Sequence, residues 1–415
     1  MPRKLLRFVD ELALHQPPVS ARISPDATFL DFLALTPNSR RQDRVRRKRP
    51  YRPGKGLSAR SMTLFLTLTL VSGAAFGAGW LLHLPLAAAR PPWKPITSEA
   101  DIKRTYEVGP SPITGLAFSP DGRLLVATTY AGRVVVRDTV TGRELNKKYT
   151  PEPTGAATGV TFNPDGRTYA VSTSTGAVLL LAVRDGNKVA LLPPPSKRGS
   201  AVTSTAYSQD GRTLAVANAQ GTVQLWDVSR AHPAVLATPG RQHSVSDVAF
   251  GRQNATLAVA SVDGTVQLWD VRNPSRPEVL STVQRGRPAT SIGYSPDGGV
   301  LAAGSSDGTT KFWNVEDPSR PRPYLEAAPR SLPSGVGSIT GLVFTDRSRV
   351  AATTTGGYVQ LWDIDQNPRL LRAPTRSQAF TSLSYNAERS TLAIGITNGT
   401  VQVWAADTTA HRTGS

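Results

Sequence analysis

The chain has 415 residues, 39% of them apolar and 19% charged, and a formal charge of +18. That length suits two or three average domains or one large repeat array, and the apolar share excludes a chain disordered throughout. With no Cys, disulfides, thiolate nucleophiles and Cys-ligated metals are excluded.

The first 61 residues hold 14 Lys or Arg against 5 Asp or Glu. Within this basic segment, "KLLRFVDELAL" puts Leu5, Phe8, Val9 and Leu12 on one helical face, and "ATFLDFLAL" suits a second short helix. So short a segment buries little core. Residues 1–61 are therefore expected to be partly disordered, with short amphipathic helices for a partner or a membrane surface.

Residues 62–89, "MTLFLTLTLVSGAAFGAGWLLHLPLAAA", carry no charged side chain. A helix of ~20 residues crosses a ~30 Å hydrocarbon core, so this window predicts one transmembrane helix. Trp80 and Trp93 stand near its C-terminal end, as interfacial aromatics do. Ala87, Ala88 and Ala89 resemble a signal-peptide cleavage site, but 61 residues precede the apolar run where a short charged lead is usual. Arg40 and Arg41 lack the apolar residues that should follow a twin-arginine signal. An uncleaved anchor fits better. Arg40 to Arg60 includes ten Lys or Arg and one acid, which by the positive-inside rule places the N-terminus in the cytoplasm and the C-terminal body outside. This topogenic reading of the basic run is simpler than nucleic-acid binding, so nucleic acid is not the expected partner. Gly73 and Gly77 form a GxxxG match, a route to weak self-association through the span.

After a linker at 90–100, the chain repeats itself. "GTVQLWDV" occurs at Gly221–Val228 and again at Gly264–Val271. Aligned on its Trp, the pattern extends to seven units, at Arg137, Leu181, Trp226, Trp269, Trp313, Trp362 and Trp404, with spacings of 44, 45, 43, 44, 49 and 42 residues. About twenty residues upstream, each unit has a short segment ending in an aromatic, from "GLAF" to "SLSY". Several are followed by "SPDG", "NPDG" or "SQDG", in which Pro fixes φ and Gly takes the positive φ of a tight turn. Each unit is thus predicted as four strands, a to d, with Trp near the end of strand c. Strand b is apolar or small at nearly every position, as in "TLAVA". A strand with one wet face would alternate, so these strands need cover on both sides. The expected fold is all-β: a seven-bladed β-propeller of four-stranded antiparallel blades over residues 101–407, followed by a tail at 408–415.

The repeat resembles the WD-repeat family, which carries Trp-Asp at the end of strand c. The pair stands at 226–227, 269–270 and 362–363, whereas Trp313 is followed by Asn314 and Trp404 by Ala405. The family's Gly-His pair before strand a has only Gly240-Arg241 as a relic, and its b–c turn Asp remains as Asp263 and Asp307. The hydrogen-bonded network of those residues should therefore be mostly absent. Ring closure in the family implies that "IKRTYEVGP", at 102–110, supplies the outer strand of the last blade, since little chain follows Trp404.

The resemblance implies a binding platform and no enzyme. His232 and His243 are the only histidines in the repeats, so no His-rich metal site is expected, and neither is a cofactor. In this fold the d–a and b–c loops share one face. The d–a loops carry Lys197, Arg198, Arg241, Arg285, Arg287, Arg330, Arg372 and Arg376. Such a rim suits an unidentified protein or anionic ligand; an ordinary solvated surface is the plainer alternative. The same propeller facing the cytosol as an assembly scaffold is a second reading. An enzyme built on a propeller is a third, since one fold hosts many functions.

Overall fold

Each repeat folds back on itself at the turn between strands a and b. The Ser119 hydroxyl donates to Asp121 Oδ1 (2.6 Å) and accepts from the Leu124 N–H (2.9 Å). Ser208 with Asp210 and Thr213, and Ser295 with Asp297 and Val300, repeat both bonds. Gly122 closes its turn at φ 66°, and a Cβ there would collide with Asn386 Oδ1, so the site needs glycine on two counts.

The computed structural model describes residues 102–145, 155–184, 186–194, 199–239, 243–251, 254–284, 286–325, 335–364, 369–372 and 378–405. The N-terminal segment 1–61, the predicted span 62–89, the linker 90–100 and the tail 408–415 lie outside them. No helix among the described residues is long and apolar enough to cross a membrane.

Strand β1 (Ile102–Glu107) precedes the first repeat. Blade 1 contains β2 (Ile113–Phe118), β3 (Leu124–Thr129) and β4 (Val134–Asp138). Blade 2 contains β5 (Ala157–Phe162), β6 (Thr168–Thr173), β7 (Val178–Ala182) and β8 (Lys188–Leu192). In blade 3 are β9 (Val202–Tyr207), β10 (Thr213–Asn218), β11 (Val223–Asp227) and β12 (Ala234–Ala237). Blade 4 holds β13 (Val245–Phe250), β14 (Thr256–Ser261), β15 (Thr265–Asp270) and β16 (Glu278–Gln284). Blade 5 holds β17 (Ala289–Tyr294), β18 (Val300–Ser305), β19 (Thr310–Asn314) and β20 (Arg322–Leu325). Blade 6 is built from β21 (Ile339–Phe344), β22 (Arg349–Thr354), β23 (Tyr358–Asp363) and β24 (Arg369–Arg372). Blade 7 supplies β25 (Phe380–Asn386), β26 (Thr391–Ile396) and β27 (Thr400–Ala405).

Every sheet is an antiparallel meander, and blade 7 takes β1 as its fourth strand, in the order β1-β27-β26-β25. The register runs from Ile102 opposite Trp404 to Glu107 opposite Thr400. The closure expected from the resemblance is therefore made. Blade 1 departs from four strands: its sheet has three among the described residues, plus a bridge from Arg137 to Glu144.

Strand b is covered on both sides as its composition requires; β10, β14, β18 and β22 are buried at every position after the first. The apolar core is divided among the interfaces between blades. Leu225 of blade 3 packs with Leu257 and Trp269 of blade 4, and Leu268 of blade 4 with Leu301 and Trp313 of blade 5. Each such large side chain contributes about 1.5–3 kcal/mol on burial.

Three indole N–H groups find an acceptor within their own strand. Trp269 Nε1 donates to Gln267 Oε1 (2.9 Å), Trp362 Nε1 to Gln360 Oε1 (3.2 Å) and Trp404 Nε1 to Gln402 Oε1 (3.1 Å). Residues two apart on a strand share a face, so the "QLW" and "QVW" spacing allows this pair; in blade 3 the same spacing leaves Trp226 Nε1 without a partner. These pairs are local bonds that the resemblance did not imply.

Candidate functional site

The meander sorts the loops by face. Strand a begins where strand b ends, so the d–a loops and b–c turns share one face of the ring. The a–b turns and c–d loops share the other.

The b–c turns are rigid by a common device. Asp263 Oδ1 accepts from the Thr265 N–H (2.9 Å) and hydroxyl (2.7 Å), and Asp307 does the same with Thr309 (3.0 and 2.7 Å). Asn398 repeats it with Thr400 at 3.0 and 2.7 Å. Only the carboxylates are recognisable in the sequence as remnants of the family's turn Asp; Asn398 does the same work with an amide oxygen. In blade 3, Asn218 Oδ1 accepts from Gln220 N (3.0 Å) and Thr222 N (2.9 Å).

The outer carboxylate oxygens of two turns meet the loop entering the same blade. His243 Nδ1 stands 2.9 Å from Asp263 Oδ2, and Arg287 Nε stands 3.9 Å from Asp307 Oδ2. Both pairs are solvent-exposed, so each contributes about 0–1 kcal/mol. Their effect is electrostatic: the two acids of the described rim each face a basic group.

Of the predicted rim residues, Arg287 is where the sequence reading puts it, beside a b–c turn. Arg372 ends strand β24, opposite Tyr358, rather than standing in the loop that follows. Lys197, Arg198, Arg241, Arg285, Arg330 and Arg376 lie outside the described residues. Arg133 is a rim base that the sequence reading did not single out. It sits in the b–c turn of blade 1, donates to the Val108 carbonyl (2.6 Å) and pairs with Glu144 (3.2 Å).

Arg133 belongs to a seam between the closing strand and blade 1. Leu125 stands opposite Arg137 as Leu257 stands opposite Trp269, so Arg137 occupies the Trp position of its blade. Its guanidinium donates to the Glu107 carbonyl (2.9 Å) and the Gly142 carbonyl (3.0 Å), and lies 5.1 Å from the centroid of the Tyr106 ring. Glu144 faces it at 3.6 Å. Arg suits this place because its several N–H donors spread in one plane.

On the opposite face, amide side chains tie neighbouring turns. Asn163 Nδ2 donates to the Gly211 carbonyl (3.2 Å), and Asn386 Nδ2 to the Gly122 carbonyl (2.8 Å). Hydrogen bonds from the Ser119 and Ser295 hydroxyls hold the Asp121 and Asp297 carboxyls below the usual carboxylate range. Asp121 serves its own turn, and Asp297 also pairs with Arg347 in the a–b turn of blade 6 (3.5 Å). Among the described residues, no group of three or more His, Asp or Glu could hold a metal ion.

Four stretches, 101–138, 193–227, 235–270 and 280–314, match the family model described as WD domain, G-beta repeat. The first spans β1 and blade 1, and the other three end with the third strands of blades 3, 4 and 5. No curated protein matches the chain closely enough to name a relative.

Proposed function

Because the body of this chain is a WD-repeat β-propeller, we propose that the protein is a membrane-anchored interaction platform that holds an acidic partner on its b–c and d–a rim. WD-repeat propellers are in general protein-binding scaffolds, and this ring supports that use. Its turns are fixed by side-chain hydrogen bonds, and its closure by β1 leaves the loops on a rigid frame. The observation that carries the platform reading is this closure. An unclosed array would leave an exposed edge open to pairing.

The charge of the partner is inferred from the d–a loops. Five successive loops each include Lys or Arg, from Lys197 to Arg376. Guanidinium groups grip carboxylates or phosphates through two hydrogen bonds at once. The anchor is inferred from the uncharged window at 62–89, and the outward-facing propeller from the basic flank that precedes it.

Two measurements test the proposal. Full-length protein should stay with membranes after alkaline carbonate washing; release into the wash refutes the anchor. Capture of the partner by full-length protein should weaken as salt rises, since exposed charges are screened beyond ~8 Å at physiological ionic strength. Reversal of Arg241, Arg285 and Arg330 to Glu should abolish capture. Reversal of Arg276 and Arg320, exposed on the c–d loops of the other face, should leave most of it. Equal capture by both variants reduces the rim to ordinary surface.

A further inference from the structure

The third residue of the innermost strand is Gly115, Gly159, Ser204, Asp247, Ser291, Gly341 and Ser382 from blade 1 to blade 7. Six are small and neutral, and one is a carboxylate. Strand β13 is the inner edge of its sheet, beside the axis of the ring, and Asp247 is half-buried there.

Asp247 is engaged by three blades. Its Oδ1 accepts from the Ser204 hydroxyl of blade 3 (2.6 Å) and from its neighbour's N–H at Val248 (2.9 Å). Its Oδ2 accepts from the Ile292 N–H of blade 5 (2.7 Å), and the Ser291 hydroxyl adds a fourth bond. A carboxylate offers about four lone-pair sites, so none is left for a bound cation. The strands packed against β13 are β9, β10, β14 and β17. They carry no Lys, Arg, His or further carboxylate; their titratable groups are Tyr207 and Tyr294, each at the far end of its strand.

We propose that Asp247 is a proton-responsive staple that joins blades 3, 4 and 5 beside the axis of the ring. Ionised, it holds two peptide N–H groups and two hydroxyls. An arriving proton bonds to one carboxylate oxygen, which then donates instead of accepting. Peptide N–H groups cannot reverse, but a serine hydroxyl can. The Ser204 oxygen, 2.6 Å away, is placed to accept that proton. The link to blade 3 persists with its direction reversed. The hold on Val248 and Ile292 loses its charge and weakens.

Burial pushes the Asp247 carboxyl above the ordinary range, against its hydrogen bonds. The response therefore begins at a pH where exposed carboxylates are still ionised. Its sign differs between local and global readouts. A folded-state pKa above the unfolded value of ~3.9 means that this group contributes stability at low pH, lost as pH rises through the folded pKa. Acid thus favours the fold as a whole through Asp247 while loosening two amides inside it.

Hydrogen exchange of the full chain in detergent, corrected for intrinsic rates at each pH, tests this. Protection at Val248 and Ile292 should fall about five- to tenfold on acidification, as charged hydrogen bonds become neutral. Asp247→Ser, which installs the residue of blades 3, 5 and 7, should flatten the profile. Asp247→Asn, also unable to titrate, gives the same reading if the serine variant does not fold. Ser204→Ala removes a donor to the carboxylate and should move the midpoint to higher pH. A flat wild-type profile, an unchanged slope in the non-titrating variant or an unmoved midpoint in Ser204→Ala overturns the proposal.

Discussion

Blade 4 and blade 1 place opposite kinds of side chain at one strand position. In blade 4, Trp269 is buried against blade 3, its indole N–H satisfied by Gln267. In blade 1, Arg137 reaches the backbone of the closing strand with its guanidinium. Between blades joined by a continuous chain, an apolar side chain suffices, because each blade follows directly from the one before it. At the seam, the first and last elements of the ring meet without a covalent link. Beside that joint, Arg137 holds β1, the strand that makes it, to blade 1 through the Glu107 carbonyl, and is anchored within blade 1 by the Gly142 carbonyl and Glu144. A lost motif residue is thus a gained contact.

The largest expected effect asks whether blade 7, whose outer strand comes from the start of the ring, is packed as well as blade 4. Trp404 of blade 7 and Trp269 of blade 4 are 1% and 3% exposed. Trp404 also meets Phe380 edge-on at 6.4 Å. Changing either to Ala should cost about 3–5 kcal/mol by the cavity left behind, measured by denaturant unfolding. A Trp404→Ala cost far below that of Trp269→Ala would mark the interface of blades 6 and 7 as the weaker joint.

Arg137→Leu sharpens the comparison, since Leu181 fills the equivalent place in blade 2. It removes two hydrogen bonds and the cation over Tyr106, and leaves Glu144 with one partner fewer. The expected loss is about 1–3 kcal/mol. A neutral or stabilising result would show that the guanidinium is a relic and not a clamp.

The smallest effect concerns what the two regions share. Ser119 in blade 1 and Ser295 in blade 5 both depress the carboxyl of their turn. A depressed folded pKa contributes stability above the unfolded value of ~3.9 that is lost as pH falls through the folded value. Ser119→Ala and Ser295→Ala should therefore differ most from wild type near neutral pH. The gap in melting temperature should narrow in acid, with the pH-independent loss of the Leu124 or Val300 bond remaining. Different narrowing in the two variants would separate the regions after all.

Much of this was legible before the fold. Strands a and b announce themselves by an aromatic, a Pro-Asp-Gly turn and an apolar run, because both need burial and a sharp reversal. Outer strands were harder: β12, β20 and β24 are four residues each, and a half-exposed edge leaves composition free. The role of Arg137 at the Trp position is not legible in the sequence, since its partner Glu107 offers a backbone carbonyl that no side-chain pattern encodes. Asp247 was hidden inside "SDVAF", where a polar residue between apolar ones suggests a solvent face; only the ring turns that face inward. Of the basic residues, Arg287 and Arg133 stand at b–c turns, Arg372 closes strand β24, and the other six lie outside the described residues.

The pairing of β1 with β27 sets the order of assembly. Ile102 waits for Trp404, about 300 residues later, whereas the other strands pair with a neighbour within their own repeat. Loop-closure entropy grows with the logarithm of the separation, and non-local pairing slows folding. Blades can form one by one as the chain emerges, each stacking on its predecessor. The ring cannot shut until the last blade is made. Through that interval β1 lacks its neighbour, and both ends of the stack present unpaired edges to other nascent chains. Slow synthesis or a truncated C-terminus therefore exposes an otherwise sealed molecule to aggregation, and the burden falls on the strand made first.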